Sequence, residues 1–257
     1  MGRTIVFAVI ASSPLVIGAY LGSRFTFPER LLAAVLAFAA GALITALTFE
    51  LFEESFEKGG ALRAAAGLAV GAAVFTGASV VLDRYVAQGD DPDGSAKLDK
   101  DAAASGRPAT SASTSGGAGL ALLAAVTLDG VPENAALGIS LDATGGSLAL
   151  LAAIFASNLP ESLVGAASMR AQGKSTAYAV VLWSLAAVLL AGAVLLGAGP
   201  LSTVSDETIS LPLAFAAGAV IASLADTLMP EAYEQGGPLV ALSTALGFVL
   251  SFLLATI

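Results

Sequence analysis

The chain has 257 residues, 56% of them hydrophobic and 12% charged, where an average soluble domain has roughly 45–50% and about 25%, so an ordinary soluble fold is excluded. With no cysteine and no histidine, there are no disulfides, no thiolate metal sites, no Cys or Ser-His nucleophile and no imidazole acid–base chemistry; an enzyme is not expected, and any metal must be held by oxygen. A net charge of −9 argues against nucleic acid or anionic headgroups as the main partner and suits a cation.

Cut at its charged and Pro/Gly/Ser clusters, the sequence leaves eight apolar stretches of about twenty residues, enough to cross a ~30 Å hydrocarbon core at 1.5 Å per residue. They fall at about 4–22, 30–51, 61–82, 118–141, 146–167, 176–197, 211–229 and 238–257. The expectation is an all-α polytopic membrane protein, a single transmembrane domain in the cell (plasma or inner) membrane with the lipid bilayer as its first partner. In the first stretch Arg3 precedes an apolar run like that of a signal peptide, but the run from Ile5 to Leu21 is long for such a segment, so it is read as a span.

Loop charges orient the spans, because Lys and Arg are retained on the cytoplasmic side. One side carries Arg24, Arg30, Arg84, Lys97, Lys100, Arg107, Arg170 and Lys174, and the other only Arg3, Lys58 and Arg63. Both termini are therefore expected outside.

The second span opens an internal repeat. Ala37 to Gly60 aligns without gaps on Ala214 to Gly237 in the seventh span, 13 of 24 positions being identical. The copies lie five crossings apart and should run in opposite directions, the inverted arrangement (3+2+3) that many secondary transporters use around a midplane site. Gly41 and Gly218 read as small residues for close helix packing. Glu50 near the outer face and Asp226 near the inner face lie deepest of the acidic residues at these span ends and are candidates for the pathway; Glu54, Glu57, Glu231 and Glu234 read as ordinary markers of helix ends.

After the third span, residues 84–117 are Asp, Gly, Ser, Ala and Pro with hardly an apolar cluster, and are expected to form a disordered cytoplasmic loop.

The fourth and fifth spans carry the chemistry. Leu128-Asp129-Gly130-Val131-Pro132-Glu133 stands against Ala156-Ser157-Asn158-Leu159-Pro160-Glu161, the shared Pro-Glu lying 28 residues apart. A carboxylate this deep costs at least ~2.5 kcal/mol on insertion scales and is a functional-site candidate by default. Asp129 and Glu133 are four apart, Asn158 and Glu161 three, so each pair shares a helical face. Each Pro removes a backbone bond, freeing the carbonyls of Leu128 and Ala156. If the faces meet, three carboxylates, the Asn158 amide and the Ser157 hydroxyl converge, and like charges that close need a cation or shared protons. The alternative is a pair of ordinary kinks with protonated or hydrogen-bonded carboxylates. In the sixth span Ser184, beside Trp183, is the one further polar candidate for the pathway.

With these motifs the chain resembles the ZIP (Zrt-, Irt-like protein) divalent-metal transporters, whose fourth span carries a His-Asn-x-Pro-Glu-Gly-type motif and whose fifth carries a related Pro-Glu motif around one or two metals. The resemblance covers the whole chain. It implies that Glu133 and Glu161 match the motif glutamates, that Asp129 stands for the motif histidine and Gly130 for its asparagine, and that Asn158 falls at a position often polar or acidic. Replacing imidazole by carboxylate hardens the site, and Gly130 removes a ligand, so one metal rather than a pair is expected. The implied ligand set is Asp129, Glu133, Asn158, Glu161 and Ser157, and the cargo is a divalent metal, zinc foremost, with Mn2+, Fe2+ or Cd2+ as alternatives and no resident cofactor. A second copy of the chain, forming a homodimer, is a further partner to consider. Two other readings remain: a proton-coupled carrier of a non-metal solute, and a family member that transports nothing.

Overall fold

The computed structural model describes residues 2–88, 118–141 and 148–255, and their regular structure is helical throughout. In chain order, α1 is Gly2–Arg24, α2 Glu29–Ala46, followed without interruption by a π-helical segment Leu47–Phe52, and α3 is Glu53–Gln88. After residues outside the description come α4 Ala118–Ser140, α5 Leu148–Ala171 and α6 Thr176–Ala198, then a short 3-10 turn Leu201–Thr203. α7 is Asp206–Ser223, continued by a second π segment Leu224–Leu228, with α8 Met229–Gly236 and α9 Leu239–Ala255 closing the chain.

Five stretches among these, Gly2–Arg24, Glu29–Val81, Leu148–Ala171, Thr176–Ala198 and Asp206–Glu234, are long and apolar enough to cross a membrane, and Leu239–Ala255 is apolar but shorter. These are the helices of a membrane protein, and their outer faces agree. Leu185, Val188 and Leu196 on α6 and Leu242, Leu246 and Val249 on α9 are large apolar side chains left exposed, as contact with lipid chains requires. α3 runs on to Gln88, past the start of the expected loop; the rest of that loop, 89–117, lies outside the described residues.

Local chemistry accounts for the breaks. Gly60, inside α3, has φ 76°, and Gly237, just after α8, has φ 55°; both are repeat-equivalent positions where only a residue without Cβ adopts the backbone cheaply. Gly173 ends α5 in the same way, with Lys174 N–H donating back to the Met169 carbonyl at 3.0 Å. Ser175 starts α6 by accepting the Tyr178 N–H at 3.1 Å.

Packing sorts the helices into two sets. α1 lies along α5 and α6, and α4 lies along α6 and α5; separately, α3 lies along α7, and α9 along α2. α2 meets α5, and α4 meets α7, where the sets join. Small residues let the axes approach: a Cβ on Gly41 would run into the Thr244 carbonyl of α9, and one on Gly218 into the Leu68 carbonyl of α3. Polar ties reinforce the same pairs. The buried Thr45 hydroxyl donates to the Phe248 carbonyl at 3.0 Å. Ser55 donates to the Ser210 carbonyl at 2.7 Å, with Lys58–Asp206 at 3.0 Å and Arg63–Glu207 at 2.7 Å beside it. The main core, around Leu137, Leu150, Ile154, Leu213 and Val220, lies where the two sets meet, and a second cluster surrounds Trp183 within α1, α4, α5 and α6.

Candidate functional site

α4 and α5 are continuous helices with Pro132 and Pro160 inside them. Near Pro132 the Asn134 amide donates to the Gly130 carbonyl at 2.8 Å. α5 is fixed to α1 at the corresponding level: the Asn158 amide nitrogen donates to the Ala11 carbonyl at 3.0 Å, and the Ser162 hydroxyl to the Pro14 carbonyl at 3.1 Å. The two bonds to α1 set the rotation of α5 about its axis. Asp129, Gly130 and Glu133 from α4 and Ser157, Asn158 and Glu161 from α5 then line a single cavity.

The cavity gives the centre of a water-sized sphere about 10 Å³ of room, about the least that holds one water or ion. The rest of its lining comes from the other helix set: Leu43 of α2, Val220 and Ser223 of α7, and Leu224 and Leu228 of the second π segment. One side is thus carboxylate, amide and hydroxyl, and the other is apolar except for Ser223.

Glu133 and Glu161 are each 5% exposed, and Asp129 is half-buried. The charges of Asp129, Glu133 and Glu161 bear on one another, and that of Glu231 in α8 bears on Glu161. The Ser223 hydroxyl shares a hydrogen bond of 3.3 Å with the Thr227 hydroxyl one turn further along. Asn158, having used its amide nitrogen on Ala11, keeps its carbonyl oxygen for a ligand, while the Ser157 hydroxyl donates to the Ile154 carbonyl at 3.1 Å and keeps its lone pairs. Among the described residues no three His, Cys, Asp or Glu side chains are grouped so as to hold a metal ion between them. A cation here would rest on neutral oxygens as well as carboxylates, a hard donor set.

The structure therefore brings all five expected ligand positions to one cavity and leaves the pathway candidates out of its lining. Glu50 and Asp226 lie half-buried in the two π segments, Asp226 accepting the Ser79 hydroxyl at 2.7 Å. Ser184 donates to the Val180 carbonyl of its own helix at 2.6 Å. Trp183 is fully buried core. Leu128 and Ala156, whose carbonyls the prolines free, do not line the cavity either. A Cβ at Gly130 would meet the Leu190 side chain at 3.0 Å, so a longer residue there would press on α6.

Sequence reasoning missed Ser223 and the apolar wall. A signal was available: Leu43 and Val220 occupy the same repeat position, and Ser223 is a hydroxyl where the first copy has Ala46. Glu231, read as a helix-end marker, is close enough to act on Glu161. Asn134, also passed over, is fully buried, and its side-chain oxygen finds no partner among the described residues. No protein-family model matches the chain, and no curated protein matches it.

Proposed function

We propose that the protein carries a divalent transition metal, zinc foremost and Mn2+, Fe2+ or Cd2+ as alternatives, into the cytoplasm across the cell membrane, as its resemblance to the ZIP family implies. The observation that carries this reading is the meeting of two Pro-Glu helix faces at one cavity of ionic size, closed from the far side by a nearly apolar wall. An ion in such a place exchanges its water for protein oxygens, and the buried carboxylates gain the counter-charge that their depth demands.

The eight-span, inverted-repeat topology with both termini outside belongs to the same proposal. Its support lies in matched pairs: Gly41 packs on α9 as Gly218 packs on α3, π segments begin at equivalent residues Leu47 and Leu224, and positive-φ glycines stand at equivalent positions Gly60 and Gly237. On this reading α1, α4, α5 and α6 rock against the remaining helices, opening the cavity to one side and then the other.

One observation favours a second reading. Without a three-acid grouping, the carboxylates could relay protons coupled to a non-metal solute. Yet a cavity of about 10 Å³ holds no organic molecule, so the cation reading is preferred. The test is uptake of Zn2+ and Mn2+ into vesicles containing the purified protein, beside the metal dependence of its thermal unfolding. Wild type should take up metal and unfold at higher temperature with it, and Glu133→Ala should lose both responses. No uptake and no metal-dependent shift in wild type would leave a non-transporting protein or a proton-coupled one.

A further inference from the structure

Basic residues are balanced unevenly over the ends of the helices. Lys58 and Arg63 stand against Asp206 and Glu207 of the same protein, at 3.0 and 2.7 Å. Arg24, Arg170 and Lys174 are exposed and make no ion pair among the described residues. The fold brings these three to one end of the bundle. Arg24 closes α1 and Arg170 lies in the last turn of α5, and the two helices run the same way, since Ala11 meets Asn158 and a Cβ on Gly22 would meet Leu163. Lys174 stands just before α6, whose first residue, Thr176, donates to the Ser23 carbonyl at 3.4 Å.

Away from the cations, two exposed stripes repeat one chemical order. On α1, Arg24 is followed at helical spacing by Tyr20 and Ile17; on α6, Lys174 is followed by Tyr178, Val181 and Leu185, and all of these side chains are exposed. The Lys174 ammonium lies 5.4 Å from the centre of the Tyr178 ring, a cation–π contact that holds it at the level of the phenol. Cation, then phenol, then aliphatic surface is the order that faces a phospholipid's phosphate, glycerol esters and acyl chains. We propose that the ends of α1, α5 and α6 form a binding site for the phosphate headgroup of an anionic phospholipid, held by Arg24, Arg170 and Lys174.

Placement at helix ends accounts for only part of this pattern. Arg24 and Arg170 lie in last helical turns, where unpaired carbonyls favour a cation. Those partial charges leave much of each positive charge unbalanced, whereas full carboxylates balance Lys58 and Arg63. Arginine meets a phosphate with two parallel donors, and lysine adds a point charge. The net charge of −9 repels anions from the surface as a whole, so the attraction is local to this cluster. None of the three residues lines the cavity, and the lipid site stands whatever the cavity carries.

The test is lipid selectivity of the whole chain in phosphatidylcholine bilayers, read with spin-labelled phosphatidylglycerol and spin-labelled phosphatidylcholine. Wild type should prefer the anionic lipid by about fivefold for each cation engaged, and high salt should reduce the preference. The triple variant Arg24→Gln, Arg170→Gln, Lys174→Gln should bring the two lipids to parity. Arg24→Lys with Arg170→Lys, which keeps the charge, should keep a preference. Lys58→Gln with Arg63→Gln, at the balanced pair of sites, should leave the wild-type value. Equal affinity for the two lipids in wild type, or a preference that survives the triple substitution, would overturn the proposal. So would an equal loss in the Lys58 and Arg63 variant, which would mean general surface charge, and so would displacement of the lipid by inorganic phosphate, which would mean a site for free anions.

Discussion

Gly218→Ala should destabilise the protein, and the structure gives the size of the effect. The added methyl group would sit inside the van der Waals envelope of the Leu68 carbonyl oxygen, close also to the Ala72 nitrogen. Both are backbone atoms of α3 and cannot swing aside, and on the same helix pair Gly71 stands equally tight against the Phe215 carbonyl. Restoring ordinary contact would part α7 from α3 by roughly an ångström. Overpacking of this kind costs about 1–3 kcal/mol, offset by up to about 1 kcal/mol because Ala is the better helix former. The net loss, about 1–2 kcal/mol, corresponds to a fall in Tm of about 2–8 °C for a chain of this length. Gly41→Ala should match it, since there the methyl meets the Thr244 carbonyl and the Phe248 nitrogen of α9. Gly192 has nothing within 4 Å of a built Cβ, so Gly192→Ala should hold or raise Tm. Thermal unfolding in one detergent compares all three. Equal Tm for Gly218→Ala and Gly192→Ala would refute the argument that close backbone approach holds α3 on α7.

Asp129→His should raise the Zn2+/Mn2+ ratio in competition uptake, because imidazole is the softer donor; an unchanged ratio would remove Asp129 from the ion's contacts. Asn158→Leu should cost about 1–3 kcal/mol in unfolding measurements, because the buried Ala11 carbonyl loses the donor it has at 3.0 Å, and a neutral result would mean that this bond does not fix α5 to α1. Thiols introduced at Glu54 and Glu231 should react with impermeant reagent from opposite faces of a vesicle, as the proposed topology requires, and labelling from one face would sink it.

The helices were largely legible in the sequence because length and hydropathy decide them: the edges of α1, α5 and α6 fall within a few residues of the expected spans. The polar half of the cavity was legible for a similar reason, since Asp129, Glu133 and Glu161 stand out in apolar surroundings and helical spacing puts them on shared faces. The apolar half was not. Leu43, Val220, Leu224 and Leu228 look like every other leucine or valine in such a chain, and only tertiary packing selects them. Ser223 failed for a different cause: a hydroxyl in an apolar helix commonly bonds within its own helix, as Ser184 does at 2.6 Å and Ser223 does with Thr227 at 3.3 Å, and nothing local marks one of them as cavity lining. Glu50 and Asp226 were drawn toward the pathway by depth alone. Depth gives no azimuth, and the π segments that carry them change the azimuth.

Those segments carry a message about how the chain can vary. In each the backbone hydrogen bond spans five residues, Glu53 N–H to the Thr48 carbonyl and Met229 N–H to the Leu224 carbonyl. Such a turn accommodates one residue more than an α-helix would, so all that follows is phased by roughly 100° relative to an uninterrupted helix. Downstream of the second segment that phase sets which way the side chains of Met229–Gly236 face. A one-residue deletion between Leu224 and Leu228 would relax the turn to α geometry, keep every downstream side chain in sequence, and swing the whole of Met229–Gly236 to another compass bearing. Point substitution has no equivalent step, and relatives of this chain should differ at these two places by insertions and deletions that come singly.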